Sequence, residues 1–130
     1  METRTIKQSV TIKASPHDVY EALMDSKKHS TFTGDKAVIS REVGGRFSAF
    51  DGYAEGVNLE LVPDKKIVQT WRASDWPEGS YSKVTFALQA AAGGTQLTFI
   101  QTGIPEEFAD DVLQGWQDYY WAPLKEMLEK

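Results

Sequence analysis

The sequence predicts an α+β domain: a seven-stranded antiparallel sheet, two short helices behind the first strand and one long helix at the C-terminus. Three observations point there. Apolar residues alternate in the first segment, short β-type runs broken by turn signals fill the middle, and a single long helical pattern closes the chain. At 130 residues the chain has the size of one domain, read here as spanning residues 1–130.

Residues 4 to 13 set Ile6, Val10 and Ile12 at even spacing, as in a half-buried strand. ASPHD then starts a helix, with Ser15 as N-cap, Pro16 in the first turn and Asp18 three residues after the cap. Val19, Tyr20 and Leu23 form its buried side. Asp25 or Ser26 caps a second brief turn through Phe32.

From Lys36 to Thr102 the runs KAVIS, RFSAF, YAEGVNLELV, KIVQTWRA, YSKVTFALQ and TQLTFIQT are separated by turn signals such as Gly44-Gly45, Asp51-Gly52, Pro63-Asp64 and Gly93-Gly94. Such short connections favour an antiparallel meander. Pro105, Glu106 and Glu107 open the long helix, because proline is preorganised for a first turn and acids suit its positive end. Lys125 and Lys130 sit at the negative end, and Pro123 removes one backbone hydrogen bond, which predicts a kink near Tyr119. Seven twisted strands curl, and one helix laid across the hollow leaves room between the two layers.

That hollow gives the aromatic residues a purpose. GWQDYYW packs four large rings into Gly115–Trp121. At about 100° per residue, Trp116, Tyr119 and Tyr120 share one arc with Val112, Leu113, Leu124 and Met127, while Trp121 points away. Trp121 therefore finds cover within the chain or forms an exposed patch. Trp71 and Ala73 share a strand face with Ile67, opposite Arg72, and Trp76 opens a Trp-Pro-Glu-Gly turn that folds over the sheet edge or lids the cavity.

The composition excludes several functions. A net charge of −5 and the absence of a basic stripe argue against nucleic acid. No cysteine is present, which removes disulfides, thiolate nucleophiles and cysteine-type zinc sites. No apolar run has the length of a membrane span or the form of a secretory leader, so a cytoplasmic location is expected. His17 and His29 lack partners at metal-ligand spacing and read as surface residues; no metal or cofactor is expected. Nucleophile-elbow, phosphate-loop and dinucleotide motifs are absent. Between Gln101 and Ala122, Glu106, Glu107, Asp110, Asp111 and Asp118 occur without a lysine or arginine, a one-signed surface able to steer a basic partner. Polar groups that could face the hollow are Glu55 or Asn58, Arg72 or Gln69, and Gln101.

The segments FTGDKAVISREVGGRFSAFDG, GVNLELVPDKKIVQTWR, WPEGSYSKVTFAL, GGTQLTFIQTGIP and GWQDYYWAPLKEML together resemble the C-terminal domain of the activator of the ninety-kilodalton heat-shock chaperone's ATPase, within the helix-grip, START-like superfamily. The resemblance implies a curved seven-stranded sheet gripping the C-terminal helix around an elongated cavity. Superfamily members bind lipids, sterols or polyketides there. It also implies that Trp71, Trp76, Pro77, Gly79, Gly115, Trp116 and Tyr120 are mainly architectural. In the eukaryotic activators a separate N-terminal domain makes the main chaperone contact, whereas this sequence starts at the first strand of the C-terminal domain.

Three functions follow as expectations. The first is non-catalytic binding of a small apolar or amphipathic molecule, with Trp71, Phe86, Phe99, Val112, Trp116, Tyr119, Tyr120, Arg72 and Glu55 lining the cavity. The second is a protein-interaction module for a chaperone of the ninety-kilodalton heat-shock type, presenting Trp121, Asp110 and Asp111. The third is a cyclase- or hydrolase-like enzyme, for which Glu55 or Glu60 with Arg72 forms the acid–base pair.

Overall fold

A computed structural model describes residues 2–129; Lys130, expected at the negative end of the last helix, lies outside them. The seven strands are β1 (Thr3–Ile12), β2 (Val38–Ile39), β3 (Arg46–Ala49), β4 (Ala54–Val62), β5 (Lys66–Ala73), β6 (Ser82–Ala91) and β7 (Gly94–Pro105). They form one sheet in the order β1-β7-β6-β5-β4-β3-β2, and every neighbouring pair is antiparallel. Helices α1 (Pro16–Met24) and α2 (Ser26–Thr33) carry the chain from one edge of the sheet to the other.

Local chemistry sets the helix ends. Ser15 Oγ accepts from the Asp18 amide at 3.1 Å, and Asp25 accepts from the Lys28 amide at 2.9 Å, so Asp25 and not Ser26 is the second cap. Gly34, at φ +77°, ends α2 in the left-handed conformation that glycine adopts without a Cβ clash.

The long C-terminal helix departs from expectation in two places. Pro105 does not open it. Backbone pairing with β1 reaches Thr3↔Pro105, and the Glu106 amide donates to Glu2 O at 3.1 Å, so Pro105 stays extended and helical structure begins with a 3₁₀ turn over Glu106–Phe108. The helix then runs as α3 (Ala109–Trp116), a π-helical turn over Gln117–Trp121, and α4 (Ala122–Leu128). The disruption expected at Tyr119 thus takes the form of a widened turn. Pro123 has no N–H to offer the Tyr119 carbonyl, and the Ala122 amide bonds back to Gln117, five residues earlier.

This turn decides where the rings point. On a regular helix Trp116 and Trp121 would be about 140° apart. A π turn holds more residues, so it brings positions five apart onto one face. The Trp116 and Trp121 rings stack with centroids 5.5 Å apart, and both are buried. The expectation that Trp121 turns away is corrected, while Tyr119, expected inside, is displaced outward and is 60% exposed.

The core lies between the inner sheet face and the helices. Ile67, Val84, Leu97, Phe99, Ile104 and Leu124 are fully sealed in it. Burial of this apolar surface is the main force holding helix to sheet. No helix among the described residues is long and apolar enough to cross a membrane.

Candidate functional site

Strand pleating decides which residues reach the interior. On β4, Ala54, Gly56 and Asn58 face in; on β5, Ile67, Gln69, Trp71 and Ala73 do. Asn58 and Gln69 are therefore the inward members of their pairs. Gln69 Nε2 donates to Asn58 Oδ1 at 2.9 Å, and Asn58 Nδ2 donates to the carbonyls of Ser40 and Glu42.

Glu55 and Arg72 lie on the opposite sheet face, which corrects their assignment to the cavity. Glu55 accepts from the Tyr81 hydroxyl at 3.0 Å, and Arg72 donates to the Trp76 and Pro77 carbonyls, fixing the Trp-Pro-Glu-Gly turn from outside. Glu60 is exposed and pairs with Lys66. The proposed acid–base pair thus has no enclosed chamber.

The C-terminal helix is anchored by buried polar tips. Trp116 Nε1 donates to Gln101 Oε1 at 2.8 Å, Gln101 Nε2 to Ser82 Oγ at 2.9 Å, and Ser82 Oγ to the Trp71 carbonyl at 2.8 Å. This chain runs from the helix across β7 and β6 to β5. Trp121 Nε1 donates to Gln8 Oε1 at 2.8 Å, so Trp121 is an internal anchor and not a partner surface.

His29 is also corrected, being buried at 6% exposure and not on the surface. Its Nδ1–H donates to Leu23 O at 3.1 Å, which leaves Nε2 to accept from the Tyr120 hydroxyl at 2.9 Å. Burial lowers its pKa to about 4, against the opposing pull of the Leu23 carbonyl. Burial pushes the Tyr120 hydroxyl up, so it stays a donor. Nothing in the run KKHS signalled this, because its partner lies 91 residues away. His17 is exposed, beside Asp64 at 2.9 Å. Among the described residues no cluster of His, Asp or Glu has the form of a metal site.

The rings fill most of the space under the sheet. The enclosed void bounded by His29, Gln69, Trp71, Phe86 and Trp116 measures only about 10 Å³. Phe99 is fully buried against Trp116, with ring centroids 4.4 Å apart. Phe86 and Phe99 therefore belong to the core beneath the site.

The larger space lies to one side. A cleft of about 420 Å³ opens between α3, the π turn, the β3–β4 turn and the loop after β5. Trp71, Trp76, Trp116 and Tyr120 line it deep down, Phe50 and Phe108 flank it, and Val112 and Gly115 complete its helical side. Exposed Tyr53 and Tyr119 stand at the mouth with Asp35, Asp75 and Asp111. Of the proposed cavity residues, Trp71, Val112, Trp116, Tyr119 and Tyr120 come together here. Phe50, Tyr53 and Phe108 were not foreseen, because they sit in turns whose direction has no sequence periodicity.

Neighbouring rings make an unbroken belt. Centroid distances are 6.2 Å for Phe108–Trp76, 5.3 Å for Trp76–Trp71, 5.8 Å for Trp71–Trp116 and 4.3 Å for Trp116–Tyr120. Phe50 then meets both Tyr120 at 5.6 Å and Tyr119 at 6.1 Å. The turn that delivers Phe50 is strained, with Phe50 and Asp51 both at φ 53°. The Trp71 Nε1–H is buried and has no hydrogen-bond partner, alone in this among the buried side-chain polar atoms of the described residues. Asp110, also expected at a partner surface, is exposed on α3 beside Asp111.

A curved antiparallel sheet closed by a long C-terminal helix, with two short helices after the first strand, defines a helix-grip domain. Residues 13–129 match the family described as Activator of Hsp90 ATPase homolog 1-like protein, and the chain belongs to that family. It is 35% identical over 116 residues to an activator of 90 kDa heat shock protein ATPase homolog from Dictyostelium discoideum, covering 88% of this chain and 30% of the relative. It is 34% identical over 122 residues to activator of 90 kDa heat shock protein ATPase homolog 1 from Homo sapiens, covering 94% and 36%. The chain thus spans about a third of the length of these relatives. Among solved structures, an HSP90 activator from Plasmodium falciparum superposes with a TM-score of 0.88 at 24% identity, with 96% of each chain covered.

Proposed function

We propose that this domain binds a small apolar or amphipathic molecule, without transforming it, in the aromatic cleft beside the C-terminal helix. The observation that carries this reading is the cleft itself: about 420 Å³ walled by an aromatic belt, within the size range of small-molecule sites. Two features agree with it. Trp71 is part of that wall, and its buried Nε1–H has no hydrogen-bond partner among the described residues. Gly115 interrupts α3 although an added Cβ would meet only Tyr119 Cδ2, at an ordinary 3.9 Å, so the glycine spares cleft volume at some cost in helix propensity. The test is titration with the neutral dye Nile red. Saturable, blue-shifted emission that Gly115→Leu abolishes supports the reading, and a flat titration of the parent protein rejects it.

Family membership favours a second reading, action on a chaperone of the 90 kDa heat-shock type, as the relatives' names describe. The acidic flank of α3, with Asp110 and Asp111, is the surface that fits it. A pull-down with such a chaperone tests this. Retention lost on Asp110→Lys combined with Asp111→Lys supports it, and no retention of the parent chain rejects it.

A further inference from the structure

We propose that the cleft selects an organic cation, a small molecule with an amine or quaternary ammonium head on an apolar body. This rests on the small-molecule reading above and names the charge class of the ligand.

The first argument is the wall. Eight of the thirteen lining residues are aromatic, three are aspartates, and none is lysine or arginine. Ring faces carry the negative part of the aromatic quadrupole and attract a cation within about 6 Å. The belt from Phe108 round to Tyr119 offers successive rings at centroid spacings of 4.3 to 6.2 Å, so a head group that enters meets more than one of them.

The second argument is the mouth. Its carboxylates come from three separate elements: Asp35 follows α2, Asp75 follows β5 and Asp111 lies on α3. Only the tertiary fold brings them together. None forms an ion pair with a lysine or arginine among the described residues. The Tyr53 hydroxyl stands among them, donating to Asp75 Oδ1 at 3.4 Å. Burial first, and then the charges of Asp75 and Asp111, hold that hydroxyl above the usual tyrosine range, so both carboxylates act on one spot. The stretch from Gln101 to Ala122 adds further negative charge and no positive charge.

The third argument is the floor. Trp71, at the bottom of the cleft, is 6% exposed and apolar rings surround it, so nothing there offsets the charge at the mouth. A carboxylate or sulfate on a guest would place its charge in a cleft ringed by aspartates, with no lysine or arginine in the lining, which disfavours anions.

The experiment compares octyltrimethylammonium, 1-octanol and octanoate, matched in chain length, by following indole and amide shifts in NMR titrations. The cation is expected to bind about tenfold tighter than the alcohol, and octanoate more weakly than either. Added salt weakens the cation alone. Asp35→Asn, Asp75→Asn and Asp111→Asn combined remove most of the cation's advantage over the alcohol, the remainder coming from the ring faces, and leave the alcohol unchanged; Asp111→Asn alone, on an exposed helix flank, gives a partial loss. Equal binding of cation and alcohol, or preference for octanoate, overturns the charge proposal and leaves the small-molecule reading standing. No binding of any probe, or binding indifferent to Gly115→Leu, overturns both.

Discussion

The hydroxyl of Tyr120 donates to Nε2 of His29 across 2.9 Å, tying the π turn of the C-terminal helix to α2 in a site from which water is excluded. The imidazole must be neutral to accept that bond, and its pKa is lowered to about 4. The unfolded chain takes up a proton near pH 6.5 while the folded chain resists it until about pH 4, so stability is complete above that window and falls as pH drops through it. The loss is on the order of 3 kcal/mol across the window. Urea midpoints measured at successive pH values should show this slope, and His29→Gln should flatten it. An equal slope in both proteins would remove His29 as its source. Asp25 adds a separate acid limb below its ordinary 3.8, since the Lys28 amide holds its carboxyl down.

Gln101 bridges Trp116 and Ser82 at the centre of the buried chain. Gln101→Leu leaves the Trp116 indole N–H without a partner in the core, at about 1–3 kcal/mol. Chemical denaturation of the variant should show a lower midpoint at unchanged slope.

Trp121 is an internal anchor, stacked on Trp116 and bonded to Gln8. Trp121→Ala should cost about 3–5 kcal/mol, the range for truncating a buried tryptophan. A loss below about 0.5 kcal/mol, typical of surface positions, would restore the exposed-patch interpretation.

Gly115→Leu places a side chain in the cleft at a helical position with no positive-φ requirement and no clash at Cβ. Thermal unfolding should show unchanged or raised stability, by up to about 1 kcal/mol from helix propensity. A fall in stability would mean that the cleft is narrower than its wall implies.

Arg72→Ala frees the carbonyls of Trp76 and Pro77. The loop carrying Trp76 should then open more often, giving faster proteolysis between Ser74 and Ser80 while the global unfolding midpoint moves little. Cleavage at the parent rate would show that the packing of Trp76 against Trp71 and Phe108 holds the loop by itself.

Much of the fold was legible in local chemistry. The β5 limits Lys66–Ala73 coincide with the run KIVQTWRA, and the Ser15 cap stands where its spacing placed it. The site was legible in part. Trp71, Trp116 and Tyr120 announced themselves by type and face, whereas Phe50, Tyr53 and Phe108 sit in turns.

The sequence by itself determined the order of elements, their approximate limits and the family, because caps, turn residues and apolar periodicity act over a few residues. Only the tertiary structure decided that Asn58 and Gln69 face inward while Glu55 and Arg72 face out. A strand has two faces with the same period, and the choice between them belongs to pairing register and to whatever packs above. It also decided that His29 is buried, that Trp121 joins Trp116 and Tyr119 leaves it, and that three aspartates distant in sequence meet at one cleft. Each depends on distant parts of the chain meeting: the hydrogen bond lost at Pro123 is resolved by rewinding a turn against the sheet, His29 finds its partner 91 residues away, and a charge acquires its neighbours only when the chain closes.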